Sequence, residues 1–238
     1  MGVTIRNLTS PREMASVDTL LQQVWGTADP IANVDLLRAI AHSGGYVAGA
    51  HDADGHMIGA SFGFLGLHGG ELSLHSHVTG ILPGVQHTGV GRALKEHQRG
   101  WAAERGIAWI TWTFDPLVRR NAHFNIAVLG ATVAEYVVNF YGRMTDSINA
   151  GGDSDRLVVA WPTDPDAGGG AAAAPSGAGG SQVLVPTPDN IVILRRTDPT
   201  AADEWRQRVR RELGDRLGAG ARVVGFTRDG EYELDVPA

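Results

Sequence analysis

Between a strand-like run ending at Ile81 and an amphipathic run starting at Val90, the chain reads Ile81-Leu82-Pro83-Gly84-Val85-Gln86-His87-Thr88-Gly89-Val90-Gly91-Arg92-Ala93-Leu94. Gly89 and Gly91 let the backbone approach a ligand with no Cβ in the way. The first-turn N–H groups of a helix have no intrahelical acceptor, and together with the helix dipole they favour a bound anion. Arg92 adds a cation beside them. This is chemistry for holding a phosphate ester, a pyrophosphate above all. The spacing is not the Gly-x-Gly-x-x-Gly dinucleotide fingerprint, and no Gly-Lys-Ser/Thr follows to make a P-loop.

Upstream of the turn, residues 71–82 read as a strand. A period of two puts Glu71, Ser73, His75, His77, Thr79 and Ile81 on one of its faces. An imidazole titrates near neutrality and takes a proton with little tuning, so His75 and His77 are candidates for proton transfer. His75-x-His77 also has the spacing of two metal ligands on one face. A metal would need a third ligand, such as His123 or Asp115, and no known metal motif spaces these residues so. No metal is expected.

Local signals define the elements that must position these groups. Residues 3–8 read as a short strand. Ser10-Pro11-Arg12-Glu13 is a capping box with proline at the first helical position, and Met14, Val17, Leu20, Leu21 and Val24 follow at helical spacing. Asn33 caps a second helix, which Gly44-Gly45 stops after His42. Residues 46–50 and 57–65, joined at Asp52-Ala53-Asp54-Gly55, form a hairpin. The helix after the glycine turn carries Val90, Ala93, Leu94, His97 and Trp101 on one stripe. Gly106 closes it, and residues 107–114 read as a strand buried on both faces. A short helix over 122–129 precedes strands over 131–140 and 157–161. The fold class is α/β: a mixed central sheet flanked by helices, antiparallel at first and with a βαβ crossover at its centre.

Residues 165–182, PDAGGGAAAAPSGAGGSQ, have almost nothing to bury and read as a flexible linker. They separate a first domain, 1–164, from a small C-terminal α/β extension, 183–238. A piece of about 50 residues is marginal alone, so it is expected to pack on the first domain. Within it, 191–194 reads as a strand. Asp198-Pro199 opens a helix bearing Trp205, Val209, Leu213 and Leu217 on one stripe, and 222–227 with 231–236 form a hairpin around Asp229-Gly230. Arg206, Arg208, Arg210 and Arg211 are interspersed with Glu204, Glu212 and Asp215, the pattern of a solvated face. An edge strand of the extension offers a route to a homodimer.

Composition narrows the function classes. The 238 residues include no cysteine, which excludes disulfide scaffolds, cysteine nucleophiles and Cys-ligated metal. Lys plus Arg is 20 against 26 for Asp plus Glu, a net charge of −6 that disfavours a nucleic-acid partner. No apolar run approaches the roughly 18–20 residues of a membrane span, and the first residues lack a signal-peptide layout. The expected location is cytoplasmic.

The segment Ile81–Leu94, with Gln86-His87-Thr88-Gly89-Val90-Gly91 at its centre, resembles the acyl-CoA signature of the GNAT superfamily of N-acetyltransferases, Gln/Arg-x-x-Gly-x-Gly/Ala. The element order over 1–164 is similar to the GNAT fold, so the resemblance covers about two-thirds of the chain, in a branch with a C-terminal extension. It implies that the backbone at Ile81, with Leu82 beside it, pairs with the pantetheine arm. It further implies that Gln86, His87, Thr88, Gly89, Val90, Gly91 and Arg92 cradle the pyrophosphate. Many members place a carboxylate base six residues before the position of Ile81. His75 stands there in this chain, with Glu71 and His77 as substitutes.

The acid that protonates the leaving thiolate is less regular. The family's tyrosine position holds Ile126 and its phenylalanine position Ala131. Asn121 resembles the asparagine that opens that motif and is a further cofactor-contacting candidate, two residues nearer the glycine than usual. Asn125, Tyr136 and Tyr141 are the groups that could reach the sulfur, a thiolate could also leave unassisted because its pKa is modest, and Tyr141 is counted among the catalytic candidates. The resemblance therefore implies an acyl-CoA-dependent N-acyltransferase. It would use acetyl-CoA or succinyl-CoA on a primary amine of a small molecule, such as an amino acid, in a ternary complex. A succinyl group would need Arg119 or Arg120 at its carboxylate. The alternative is a non-catalytic acyl-CoA sensor.

Overall fold

The computed structural model of the protein describes residues 2–142, 153–164, 166 and 181–238. They form two compact units that meet in the sequence between Thr111 and Trp112.

In the first unit, β1 (Thr4–Asn7) leads to α1 (Pro11–Trp25), and the expected capping box starts that helix. Ser10 Oγ accepts from the Glu13 N–H at 3.3 Å, and Glu13 Oε2 accepts from the Ser10 N–H at 3.0 Å. Gly26 ends it at φ +64°. Next come α2 (Val34–His42), capped by Asn33, and the antiparallel strands β2 (Tyr46–His51), β3 (Met57–His68) and β4 (Glu71–Ile81). A 3-10 turn over Pro83–Val85 precedes α3 (Val90–Ala103), and β5 (Trp109–Phe114) follows. The strands run β1-β2-β3-β4, with the start of β5 parallel to β4.

Two apolar clusters hold this unit together. Met14, Val17 and Leu21 of α1 pack with Leu37, Ala60 and Phe62, whereas Val90 and Leu94 of α3 pack with Ala50 and Ile58. Burying each such side chain contributes about 1.5–3 kcal/mol. Gly80 lets α1 lie close to β4, because a Cβ there would come within 2.6 Å of Leu21. The buried stripe of α3 is wider than the apolar pattern indicates. Lys95 and Gln98 are buried with Leu94 and Trp101, while His97 is only half-buried and bonds Tyr46 Oη at 2.8 Å.

In the second unit, α4 (Arg119–Ala122) continues as a π-helical turn through Val128, so the expected helix starts earlier and is irregular. The antiparallel pair β6 (Thr132–Val137) and β7 (Arg156–Pro162) follows. The strand expected over 131–140 stops at Val137 because Asn139 turns the chain at φ +51°. Beyond residue 166, β8 (Ser181–Pro186) takes the last two residues of the expected linker. Residues 191–194 are helical, not a strand. They open α5 (Ile191–Thr197), where the Asn190 side chain accepts from the Ile193 N–H at 3.1 Å. A short apolar run carries no period of its own, and the cap decides it.

Asp198 caps α6 (Pro199–Val209), which runs through a π turn over Arg210–Asp215 into α7 (Arg216–Gly218). Then β9 (Arg222–Phe226) and β10 (Glu231–Val236) form the expected hairpin and complete a small sheet ordered β8-β10-β9. Tyr232, fully buried, donates to the Pro116 carbonyl at 2.8 Å. Asp115 accepts from Arg195 at 2.6 Å with both residues buried, and Arg156 stands 3.9 Å from the same oxygen. The arginines of α6 and its π turn are not a uniformly solvated face. Arg206 is buried against Asp203, and Arg210 binds Asp155.

Candidate functional site

The glycine turn has the geometry of an anion cradle. Gln86 is extended, His87 adopts φ +66°, and Gly89 stands as N-cap of α3 at φ +92°, a conformation that disfavours any side chain. Among the described residues no side chain caps α3, so its first-turn amides have no side-chain acceptor, the arrangement that suits an anion. The turn is braced internally. Gln86 Nε2 donates to the Ile81 carbonyl at 3.3 Å, and Thr88 Oγ1 donates to the Val85 carbonyl at 2.7 Å. Val90 is buried and anchors the first turn of the helix, while His87, Thr88 and Gly89 are exposed. Arg92 is exposed and lies 3.8 Å from Glu96. The positive φ of His87 had no signal in the sequence.

Along β4 the structure corrects the expected face. Phe62 pairs with Val78 but Gly63 pairs with Ser76, which leaves His77 as the extra residue of a β-bulge. A bulge shifts the alternation by one, and the contacts follow. His75 and His77 face Phe64, with ring centroids at 5.2 and 5.6 Å, and His77 also meets Phe62. Ile81, beyond the bulge, packs with Val90 and Leu94 of α3. Thus His75 and Ile81 lie on opposite faces. Gly63 makes room for the bulge, since a Cβ there would sit 2.5 Å from the His75 carbonyl oxygen. Pairing of β4 with β5 runs from Ser73 to His75, and among the described residues no pairing continues past it.

The histidines are not ordinary imidazoles. Burial, with the His77 and Lys95 charges adding to it, pulls His75 down to about 4, and burial lowers His77 as well. His75 is therefore neutral at neutral pH through desolvation, not poised near 6.5. Its Nδ1 lies 3.3 Å from Thr111 Oγ1. Lys95, on the buried face of α3, donates to Ser76 Oγ at 2.8 Å, and burial brings its ammonium down to about 7. Sequence reasoning missed Lys95, because a lysine beside an apolar stripe reads as snorkelling. Glu71 is not gathered with the histidines. It lies opposite His68 at the hairpin end and accepts from Trp109 Nε1 at 2.8 Å.

The remaining candidates belong to the second unit. The Tyr141 hydroxyl lies 3.2 Å from Thr113 Oγ1, its ring meets Phe140 edge-on, and it is 41% exposed. Tyr136 is committed elsewhere: it donates to Asp155 at 2.8 Å, and burial and that carboxylate push its phenol up. Asn125 is buried and accepts from Trp112 Nε1 at 3.1 Å. Asn121 lies in α4 and donates its N–H to the Val118 carbonyl. Arg119 binds Thr187 and Asp189, so it is engaged within its own unit. Asp115, held by Arg195, is not poised as a metal ligand. Among the described residues, the only group of three that could hold a cation is Asp52, Asp54 and His56 in the β2–β3 turn. Residues 143–152 lie outside the described residues, as does most of the linker expected over 165–182.

No known family profile and no curated protein sequence matches the chain. Solved structures do. The ribosomal-protein-S18-alanine N-acetyltransferase of Escherichia coli is 18% identical, with 68% of this chain and 95% of that chain covered at a TM-score of 0.54. A GNAT-family acetyltransferase from Streptococcus pneumoniae is 15% identical over 68% and 99% of the two chains, at 0.55. The phosphinothricin acetyltransferase of Sinorhizobium meliloti, solved with acetyl-CoA, is 14% identical over 68% and 89%, at 0.54. The mixed sheet flanked by helices, with a small second sheet at the C-terminus, accordingly carries the fold of the GNAT acetyltransferases.

Proposed function

We propose that this protein is an acyl-CoA-dependent N-acyltransferase acting on the primary amine of a small molecule. The observation that carries the reading is the turn from Ile81 to Arg92: an uncapped helix N-terminus at a left-handed glycine, directly after β4. That arrangement suits a pyrophosphate at the amides of α3. The β4 backbone beyond His75 suits the amide-rich pantetheine arm, added as a strand would be. Acyl-CoA supplies an activated thioester carbonyl.

The chain's own residues do the rest. His75, neutral at working pH, takes a proton from the amine nitrogen as the C–N bond forms, with His77 its substitute. The C–S bond breaks, and Tyr141 is assigned the proton given to the departing thiolate, since the Tyr136 hydroxyl is committed to Asp155 and the Asn125 carboxamide has no proton acidic enough to give. Glu71, held by Trp109, is the weakest of the proposed bases. Acetyl and succinyl both remain acyl groups to test: Arg119 is paired with Asp189, whereas Arg120, the other candidate for a succinyl carboxylate, is exposed.

The test is calorimetric titration of acetyl-CoA and succinyl-CoA into the wild type and Gly89→Glu, with thiol release followed over a panel of amines. We expect micromolar to millimolar binding of acetyl-CoA, at least a hundredfold weakening in Gly89→Glu, and amine-dependent thiol release. Binding with no release for any amine would favour the sensor, for which the Ile126 substitution speaks. Failure to bind either ester would overturn the reading.

A further inference from the structure

The C-terminal extension sends one cation into the turn that bears Tyr141. Arg210, where α6 passes into its π turn, meets Asp155 through two hydrogen bonds, Nε to Oδ2 at 2.9 Å and Nη2 to Oδ1 at 2.7 Å. Nη2 also reaches Asp153 at 3.3 Å. Such a planar fork fixes orientation as well as distance. Asp155 is almost fully buried and is the hub of a hydrogen-bond network. Its Oδ1 accepts the Asn139 N–H at 3.0 Å, and its Oδ2 accepts the Tyr136 hydroxyl at 2.8 Å.

The turn is then tied to the neighbouring serine. Asn139, held at φ +51°, accepts the Ser154 N–H on its side chain at 3.2 Å. Ser154 Oγ accepts the Tyr141 N–H at 2.8 Å and donates to the Gly142 carbonyl at 2.7 Å. Every polar anchor of the Tyr141 backbone turn therefore leads within one or two bonds to Asp155, and the positive charge that keeps Asp155 ionised is Arg210. Burial opposes that ionisation, and the guanidinium, the Asn139 N–H and the Tyr136 hydroxyl outweigh it.

We propose that Arg210 is a positioning residue: through Asp155 and Ser154 it fixes where the Tyr141 hydroxyl sits, and so makes the C-terminal extension necessary for turnover. The consequence for turnover rests on the acid role given to Tyr141 above. Thr113, Phe140 and the Arg156 guanidinium, 5.4 Å from the ring centroid, meet the Tyr141 side chain, and the backbone turn anchored at Asp155 sets where that side chain starts. A proton donor displaced by about 1 Å loses on the order of a hundredfold in rate.

The full-length chain, labelled with 3-fluorotyrosine, separates the two ideas. It has four tyrosines, so the Tyr141 fluorine line is assigned by its loss in Tyr141→Phe. In Arg210→Ala that line should shift or broaden, while the Tyr46 line stays in place. The turnover number with acetyl-CoA and an accepted amine should fall at least tenfold, with acetyl-CoA affinity within twofold of wild type. In the Tyr141→Phe background the same substitution should cost less than twofold, and Arg210→Lys should recover part of the loss. Asp155→Asn, which keeps an acceptor for Asn139 but not the ion pair, repeats the test if Arg210→Ala does not fold. An unmoved Tyr141 line, or equal losses in both backgrounds, overturns the positioning role. A moved line with full activity in Tyr141→Phe overturns only the acid assignment.

Discussion

His75 provides the sharpest quantitative test, because burial changes both stability and catalysis through one proton. Its imidazole falls from 6.5 to about 4 in the folded chain, chiefly by desolvation, with His77 and Lys95 adding to it. The unfolded chain therefore takes up the proton first as the solution is acidified. Native stability is untouched above about pH 6.5, declines as pH falls through that value towards 4, and levels off below it. At about 1.4 kcal/mol per pH unit the ceiling is about 3.4 kcal/mol. Solvent reaches part of the ring, so screening reduces this to about 1–2 kcal/mol. Urea unfolding at pH 7.5 and 5.0 reads it: His75→Gln should lose about 1 kcal/mol less than the wild type between those two values. The same shift predicts that the acid limb of the turnover number lies below about pH 5, and that His75→Gln costs roughly 10²–10⁴ in rate at pH 7.5. Equal pH slopes in the two proteins would refute the desolvation argument. A wild-type rate in His75→Gln would refute the base assignment.

Two further predictions probe the supports of the site. Gly63→Ala drives a Cβ against the His75 carbonyl, a backbone atom that cannot swing away. It should destabilise the chain by about 1–3 kcal/mol and slow turnover more than it weakens acetyl-CoA binding; a loss under about 0.5 kcal/mol would show that the bulge does not need the glycine. Arg195→Met strips the main partner from the buried carboxylate of Asp115. It should cost about 3–5 kcal/mol in thermal or urea unfolding, and Asp115→Asn added to it should recover part of that; no recovery would mean that the arginine acts by packing alone.

The legible part of this protein was local. The Ser10–Glu13 capping box, the Asn33 cap, the Asp52–Gly55 turn and the Gln86–Gly91 turn each lie within a few residues, and each formed where its chemistry demands. A cap or a tight turn is decided by groups that are neighbours in the chain, so composition and spacing are enough to find it. The uncapped start of α3 at Gly89 was visible for that reason. So was the mixed α/β order, because amphipathic periods report directly on which faces need covering.

Only the tertiary structure decided the rest, because those outcomes depend on partners far away in sequence. The face on which His75 lies is set by one unmatched residue against β3, and a period of two cannot reveal a register slip. Lys95 is buried because Ser76 receives its ammonium, and Arg210 is clamped because Asp155 waits 55 residues earlier. Tyr136, an acid by residue type, is removed from that role by Asp155, to which it donates its hydroxyl. In this chain the glycine turn before α3 follows from neighbours in the sequence. The protonation state of His75 and the hold on the Tyr141 turn follow from desolvation and charge pairing, which exist only once distant segments have met.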